Sequence, residues 1–339
     1  MTQSTRAPAL PGTPAATRHR ASRQGRLAGW AAVAVLLVAV VAREDLNAWV
    51  SSHPRMSAWS TVFVSVSLQS LPFLVLGVGL SAAIAAALPL SKLLAVLPRR
   101  QAVAVPVAGL AGVVLPGCEC ASVPVAGGLI AKGAPVAPAL AFLLAAPAIN
   151  PIVLVSTSVA FPGRPEMVLA RFTASLVAAV AMGWFWLRRG RTEWLRMPRR
   201  PHGEGTPPRE VFFETMRHDL LHAGGFLVLG GMLAATVNVL LPTSAVLALQ
   251  DRPWLAVLVL AALAVLVAIC SEADAFVAAS FTQFSPTAQL AFMTVGPMVD
   301  VKLVSMQVGT FGRRFAVRFA PATFVTAVAA SVVVGVVLL

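Results

Sequence analysis

Residues 115–151 read LPGCECASVPVAGGLIAKGAPVAPALAFLLAAPAINP. Apolar runs flank this stretch, yet it holds two of the three cysteines, a glutamate, a lysine, an asparagine and six prolines. Backbone in lipid must satisfy its own hydrogen bonds, so segments broken by Pro and Gly persist there only when they pack inside protein or line a polar cavity. Polar and ionisable groups at that depth indicate function. We therefore interpret the stretch as one half of a transport site.

The composition is that of a membrane protein. Of the 339 residues, 58% are hydrophobic and 12% are charged, and the mean hydropathy is +0.82. A soluble domain carries about 25% charged residues. A membrane-spanning helix needs about 20 mostly apolar residues, and the sequence offers roughly eight or nine such runs. We expect an all-α polytopic membrane protein in which some helices are broken or re-entrant.

The net charge of +13 is concentrated in the amino-terminal tail and in a linker that follows residue 187. The positive-inside rule places both basic regions in the cytoplasm. No aromatic or recognition motif accompanies the charge, so nucleic acid is not an expected partner. The predicted location is the cytoplasmic membrane, with the amino terminus inside the cell.

The order of apolar and polar segments predicts five regions. The apolar run 27–42 follows a long leader without a cleavage signature, which favours a retained signal anchor over a cleaved signal peptide. The regions are a disordered basic tail (1–26), a signal-anchor helix and loop (27–60), a first transmembrane repeat (61–188), a basic cytoplasmic linker (189–219) and a second transmembrane repeat (220–339).

Two matches between the repeats indicate duplication. The sequence FLVLG occurs at residues 73–77 and again at 226–230. At an offset of 150 residues, Cys120 aligns with Cys270 and Asn150 with Asp300. Basic residues end one span and begin its counterpart, so the repeats are predicted to be inverted copies, with a re-entrant element near the first cysteine motif. Inverted repeats place substrate sites at broken helices near the membrane midplane.

Proline and glycine predict where the helices break, because proline lacks the N–H that a helix interior needs. The expected helix-break residues are Pro116, Gly117, Pro147 and Pro151 in the first repeat and Gly296 and Pro297 in the second.

The cysteines are candidate substrate ligands. Cys118 and Cys120 would point about 200° apart on a regular helix, but on extended or broken backbone they would share a face. An inverted fold would add Cys270, and thiolates select thiophilic species. The alternative is that these cysteines pack as small hydrophobic residues. Their spacing fits neither a disulfide framework nor a zinc ribbon, so no metal site is assigned.

Four of the 13 acids lie in the two broken motifs: Glu119, Glu272, Asp274 and Asp300. An ionised acid at the bilayer centre costs about 2.5–3.5 kcal/mol, which argues for function rather than chance. Glu119, Asp300 and Asn150 are expected to bind substrate, whereas Glu272 and Asp274 would couple protons or balance charge. The alternative is exposure in interfacial loops.

Two lysines lie in the same motifs. Lys132 and Lys302 are assigned to charge balance, since either can pair with the acids or hold an anion. The alternative for both is that the side chain extends to the membrane interface.

These motifs resemble those of the predicted-permease family that includes organoarsenical efflux permeases. The matching segments are PGCECASVPVAGGLIAKGAP with FLLAAPAINP, and CSEADAFVAASF with LAFMTVGPMVDVK. The resemblance implies a multi-span inner-membrane permease and, for the arsenical members, export of trivalent organoarsenicals bound through motif cysteines such as Cys118 and Cys120. Here the motif reads Cys-Glu-Cys, where many relatives have a small polar residue between the cysteines. Because of this additional acid, a metal cation remains an alternative substrate.

The sequence therefore predicts a permease and not an enzyme, without cofactors, that exports a thiophilic solute. No ATP-binding loop is present, so transport would be secondary or would need a separate ATPase. The alternatives are a permease for a divalent metal cation or another small solute, and a membrane thiol oxidoreductase. Expected partners are the substrate, the lipid bilayer, and a second copy of the chain or an accessory membrane subunit.

Overall fold

The described part of the protein is helical. The computed structural model describes residues 52–87, 98, 100–114, 119–196, 207–240 and 253–339, and these contain helices and no β-strand. Contacts divide the chain into Met1–Ala58 and Trp59–Leu339; of the first unit only residues 52–58 are described, and the packing below concerns the second. The predicted signal anchor, the predicted breaks at Pro116 and Gly117, and Cys118 lie outside the described residues.

Among the described residues, six α-helices lie in the first half of the sequence and six in the second. The first half comprises α1 (Pro54–Ala87), α2 (Gln101–Ala111), α3 (Glu119–Ala131), α4 (Val136–Ile149), α5 (Pro151–Ala160) and α6 (Pro165–Arg189). The second half comprises α7 (Pro208–Leu240), α8 (Pro253–Val267), α9 (Asp274–Ser280), α10 (Pro286–Val295), α11 (Val301–Phe311) and α12 (Arg313–Leu338). Each half begins and ends with a long helix and has shorter pieces between.

In the described part of the chain, five helical segments are long and apolar enough to cross a membrane: Pro54–Ala87, Val136–Ala160 (α4 and α5 together), Pro165–Arg189, Pro208–Thr236 and Arg313–Leu338. The same residues include three shorter apolar helices: Gln101–Ala111, Glu119–Ala131 and Trp254–Val267. The prediction of an all-α membrane protein with several spans is confirmed. Several of the predicted apolar runs form helices too short to cross a membrane alone, because polar or Pro-containing turns interrupt them.

The helix α7 begins at Pro208, well before the apolar run that marked the second repeat and inside the predicted linker. Proline is favoured at the first helical position, where its missing N–H breaks no hydrogen bond. Hydrophobicity located the span correctly but gave no signal for its charged first turns.

The helix breaks lie close to the predicted prolines. Asn150 ends α4 and caps α5, its Oδ1 accepting from the Val153 N–H at 3.0 Å, with Pro151 at the first position of α5. The predicted helix break at Pro147 is wrong, because α4 continues through this residue to Ile149. In the last turn of a helix a missing N–H removes one hydrogen bond without ending the helix.

The second-half break has a similar cap. Gly296 ends α10 and Pro297 follows in a turn. Asp300 then caps α11, its Oδ1 accepting from the Leu303 N–H at 2.5 Å. Asn150 and Asp300, aligned in the sequence, thus have the same local role.

Basic residues gather where α6 ends and α12 begins. The Trp186 ring of α6 packs against Phe315 of α12 at 5.5 Å between centroids, and Arg318 lies 4.9 Å from the Trp194 ring. The Arg196 N–H donates to Phe311 O at 2.8 Å. We call this region the basic end; it comprises Arg188, Arg189, Arg196, Arg313, Arg314 and Arg318. Since α6 ends there and α12 begins there, the two helices run antiparallel.

Candidate functional site

An ion pair joins the halves at the first cysteine motif. Glu119 is the first residue of α3, and Lys302 lies in the first turn of α11. Lys302 Nζ is 2.5 Å from Glu119 Oε1, and the side chains are 1% and 0% exposed. Leaving either charge buried alone would be strongly destabilising, so each charged group requires the other half of the molecule.

Thiols from both halves lie within electrostatic range of this lysine. Cys120 and Cys270 are both buried, and both thiols, together with the Asp300 carboxyl, interact electrostatically with the Lys302 ammonium group. We call Glu119, Cys120, Cys270, Asp300 and Lys302 the thiol–lysine cluster. Thiols from both halves therefore lie in the same region as the ion pair.

The helices α3 and α11, which carry Glu119 and Lys302, lie side by side. Glu119 faces Lys302, and eight residues further along each helix Gly127 faces Thr310 (a Cβ at Gly127 would lie 2.8 Å from Thr310 Cγ2). The helices α3 and α11 are therefore parallel and in register, and both begin at the cluster. The sequence alignment paired α3 with α9 instead, so this contact was not foreseeable from the repeat.

A second buried ion pair joins the halves, and sequence reasoning missed its cation. Arg171 of α6 is fully buried, and its Nη2 donates to Asp274 Oδ2 at 2.8 Å. The same nitrogen donates to Ser271 O at 3.2 Å, and Nη1 donates to Thr157 Oγ1 at 2.9 Å. A charge within an apolar span is a functional candidate by itself, and that signal was available at Arg171.

The two ion pairs are close to each other. Asp274 interacts electrostatically with Glu119 and with Glu272 as well as with Arg171. Both carboxyl oxygens of Glu272, and Oδ1 of Asp274, are buried without a hydrogen-bond partner among the described residues. The four predicted acids are therefore gathered in one region, as their positions in the motifs indicated.

Two other predicted residues have different surroundings. Lys132 follows the last residue of α3, a 13-residue helix, so it lies about 20 Å along the helix axis from Glu119. It is only partly buried. Asn150 is buried and donates from Nδ2 to Ala146 O at 3.1 Å, so its amide holds the break between α4 and α5.

The repeated FLVLG segments lie against the site helices. A Cβ at Gly77 would be 2.4 Å from Ala121 Cα, and one at Gly230 would be 2.9 Å from Lys302 Cα. Only glycine allows this approach of backbones. The repeated glycine thus positions α1 against Cys120's neighbour and α7 against Lys302.

The described residues include no group of three or more His, Cys, Asp or Glu side chains arranged to hold a metal ion. The groups that lie in this region are two thiols, carboxyl groups and an ammonium group.

The sequence model of a protein family described as predicted permease, ArsP_1, matches residues 56–336. The chain belongs to this family. The match includes both ion pairs and all three cysteines, so the resemblance drawn from the two motifs is confirmed. Membership indicates a membrane permease, that is, a transport protein.

Two relatives of this permease have similar length. UPF0718 protein YcgR of Bacillus subtilis (strain 168) is 33% identical over 264 residues, covering 76% of this chain and 90% of that protein. A "putative two-component membrane permease complex subunit" of Streptococcus mutans serotype c (strain ATCC 700610 / UA159) is 29% identical over 283 residues, covering 81% and 94%. No solved structure matches the permease.

Proposed function

We propose that this permease is a secondary transporter of the cytoplasmic membrane that exports a thiophilic solute such as a trivalent organoarsenical. The observation that carries the proposal is that Cys120 and Cys270, buried and from opposite halves, both lie within electrostatic range of Lys302, whose ion pair with Glu119 is next to Cys120 in the chain. Two thiols on separate structural units can hold one soft atom between them. Cys118, one residue before Glu119, is proposed as a further ligand.

The two halves are proposed to be inverted repeats. Three observations support this: the antiparallel course of α6 and α12, the equivalent caps at Asn150 and Asp300, and the FLVLG segments that both approach site helices. Transporters of this construction bind substrate at broken helices between the repeats.

The depth of the cluster supports a transport role. The 11-residue helix α11 starts at the cluster and ends beside Arg196 of the basic end, a distance of about 16 Å. The hydrocarbon core of a bilayer is about 30 Å thick. If the basic end lies at the cytoplasmic surface, Lys302 is near the midplane, where alternating access needs its binding site.

The acids divide into two roles in this proposal. Glu119 and Asp300 belong to the thiol–lysine cluster and contact substrate, with Asn150 holding the neighbouring helix break. Glu272 and Asp274, which have unpartnered oxygens among the described residues, exchange protons during transport. Lys132 lies too far along α3 to take part and is left out of the site.

Uptake by inside-out membrane vesicles tests the proposal. Vesicles with the wild-type permease should accumulate trivalent methylarsenical when a proton gradient is imposed, and Cys118→Ser and Cys120→Ser should abolish uptake. Ser122→Ala is the matched control, because its buried hydroxyl donates only to Glu119 O within the same helix turn. Uptake unchanged in both cysteine variants would refute the thiol-ligand role. Proton-driven uptake of a divalent metal instead of the arsenical would favour the metal permease.

We also propose that the permease works with an accessory membrane subunit. The Streptococcus relative is named as a subunit of a two-component complex, and that name is the support for the proposal. Purification of the tagged permease from its native membrane in mild detergent should co-isolate a second membrane protein in constant ratio. Isolation of the permease alone, still active after reconstitution, would contradict this assembly.

A further inference from the structure

Cys270 lies in a segment of irregular backbone between α8 and α9. The segment comprises residues 268–273, and Ala268 within it has φ = 52°, a left-handed conformation that is unfavourable for a residue with a side chain. Its backbone bonds are those of a turn, from Ala273 N and Asp274 N to Cys270 O. Irregular backbone at membrane depth needs support from neighbouring groups.

Arg171 provides that support from the other half of the molecule. Its Nη2 donates to Ser271 O at 3.2 Å, next to Cys270 in the chain, and to Asp274 Oδ2 at 2.8 Å, at the start of α9. Its Nη1 donates to Thr157 Oγ1 at 2.9 Å, and that hydroxyl donates to Val153 O at 2.7 Å. One guanidinium group therefore ties α5 and α6 to the part of the segment that follows Cys270 and to the start of α9.

The Lys302–Glu119 pair has the reciprocal arrangement. Lys302 of the second half pairs with Glu119, which precedes Cys120 of the first half, and Arg171 of the first half pairs with Asp274, four residues after Cys270 of the second. A guanidinium group suits the second pair because its two terminal nitrogens donate in fixed directions, Nη2 to Ser271 O and Asp274 and Nη1 to Thr157. A lysine ammonium group lacks this fixed geometry.

We propose that Arg171 is a positioning residue for Cys270: by holding Ser271 and Asp274 it aims the Cys270 thiol at the thiol–lysine cluster, where this thiol and Cys120 bind one thiophilic solute together. The identity of the solute in this inference rests on the proposed function, whereas the position of the Cys270 thiol does not.

Alkylation of the purified full-length permease tests the geometry without any substrate. Because hydrogen bonds to charged groups are among the stronger ones, Arg171→Gln should raise the rate at which N-ethylmaleimide modifies Cys270 by about tenfold. Cys120, read from its own peptide by mass spectrometry, is the internal control and should react as in wild type. Arg171→Lys should give an intermediate rate at Cys270. Equal acceleration at both cysteines, or at neither, would overturn the proposal.

A second variant covers the case in which Arg171→Gln does not fold. The double variant Arg171→Gln with Asp274→Asn leaves no unpaired buried charge but still removes the ionic support of the segment. It should show the same selective exposure of Cys270. A wild-type pattern of alkylation in this folded variant would contradict the positioning role.

A double-mutant cycle of Arg171→Gln and Cys270→Ser tests whether Arg171 affects substrate affinity through Cys270. Affinity for trivalent methylarsenical can be measured from its protection of the thiols against N-ethylmaleimide. Losing one of two linked contacts weakens binding by roughly 100-fold, so Arg171→Gln and Cys270→Ser should each have that effect. In the double variant Arg171→Gln should add nothing, because it acts only through Cys270.

The outcomes of this cycle are separable. A further loss when Arg171→Gln is added to Cys270→Ser would show that the arginine supports the whole site, and would overturn the proposal. Wild-type protein that is not protected by the arsenical would instead refute the substrate of the proposed function, and the alkylation rates would still decide the role of Arg171.

Discussion

Lys302 Nζ lies 2.5 Å from Glu119 Oε1, and this contact joins the first turns of two parallel helices that belong to different halves of the permease. Neither side chain reaches solvent. The pair therefore has two effects that experiments can separate: it compensates two buried charges, and it places an ammonium group beside the thiols.

Lys302→Met should destabilise the protein by about 3–5 kcal/mol, because it leaves the Glu119 carboxylate buried without its partner. The double variant Glu119→Gln with Lys302→Met removes both charges and should recover most of the stability but none of the transport. Thermal unfolding in detergent and vesicle uptake measure the two quantities. A double variant as unstable as Lys302→Met would show that the charge balance is not what the pair supplies.

Gly77→Ala and Gly230→Ala should each cost about 1–3 kcal/mol, because the new Cβ would overlap the backbone of a site helix. The matched controls are Gly79→Ala and Gly225→Ala on the same two helices, since a Cβ at either position meets nothing within 4 Å. The controls should be neutral or slightly stabilising. Equal unfolding temperatures for all four variants would contradict the close approach.

Asp300 serves as a helix cap and as a charge, and two substitutions distinguish these roles. Asp300→Asn keeps the acceptor for the Leu303 N–H and should retain stability, whereas Asp300→Ala should lose about 1 kcal/mol, the usual value for a missing cap. If the carboxylate takes part in transport, both variants lose uptake. If Asp300→Asn takes up substrate at the wild-type rate, the charge of Asp300 is not needed for transport and its role is to cap α11.

Glu272→Gln should uncouple transport from protons. Both carboxyl oxygens of Glu272 are buried without a hydrogen-bond partner among the described residues, so this change leaves the Arg171–Asp274 pair intact. We expect vesicles with this variant to exchange labelled for unlabelled methylarsenical but not to accumulate it in response to a proton gradient, because the exchangeable carboxyl is gone. Glu210→Gln is the control, as this acid is exposed at the start of α7. Gradient-driven accumulation that survives in Glu272→Gln would place the coupling elsewhere.

Composition and motif chemistry predicted an all-α membrane protein with broken helices, because backbone and charges in lipid are strongly restricted. They also selected the acids Glu119, Glu272, Asp274 and Asp300, whose role in a transport site stays a prediction. Contacts between residues of opposite halves could not be predicted from composition and motifs. The residue aligned with Glu119 is Ile269, so the repeat gave no reason to expect Lys302 opposite it.

Arg171 was missed for a different reason. It lies outside both motifs, in a span that otherwise reads as ordinary apolar helix, and its partners come from residues 14 and about 100 positions away in the chain. Attention to any charge inside a span would have found the residue. Its contacts would have remained unknown, since they depend on how α6 packs against the other half.

The parallel course of α3 and α11 affects the net charge that a solute meets. A helix amino terminus carries about half a positive charge from its aligned peptide dipoles, and both helices direct that end at the thiol–lysine cluster. Together with Lys302 these ends contribute about two positive charges, which offset the carboxylates of Glu119 and Asp300. Under the proposed function, a cluster whose fixed charges balance before anything binds favours an uncharged solute that bonds to sulfur over a divalent cation.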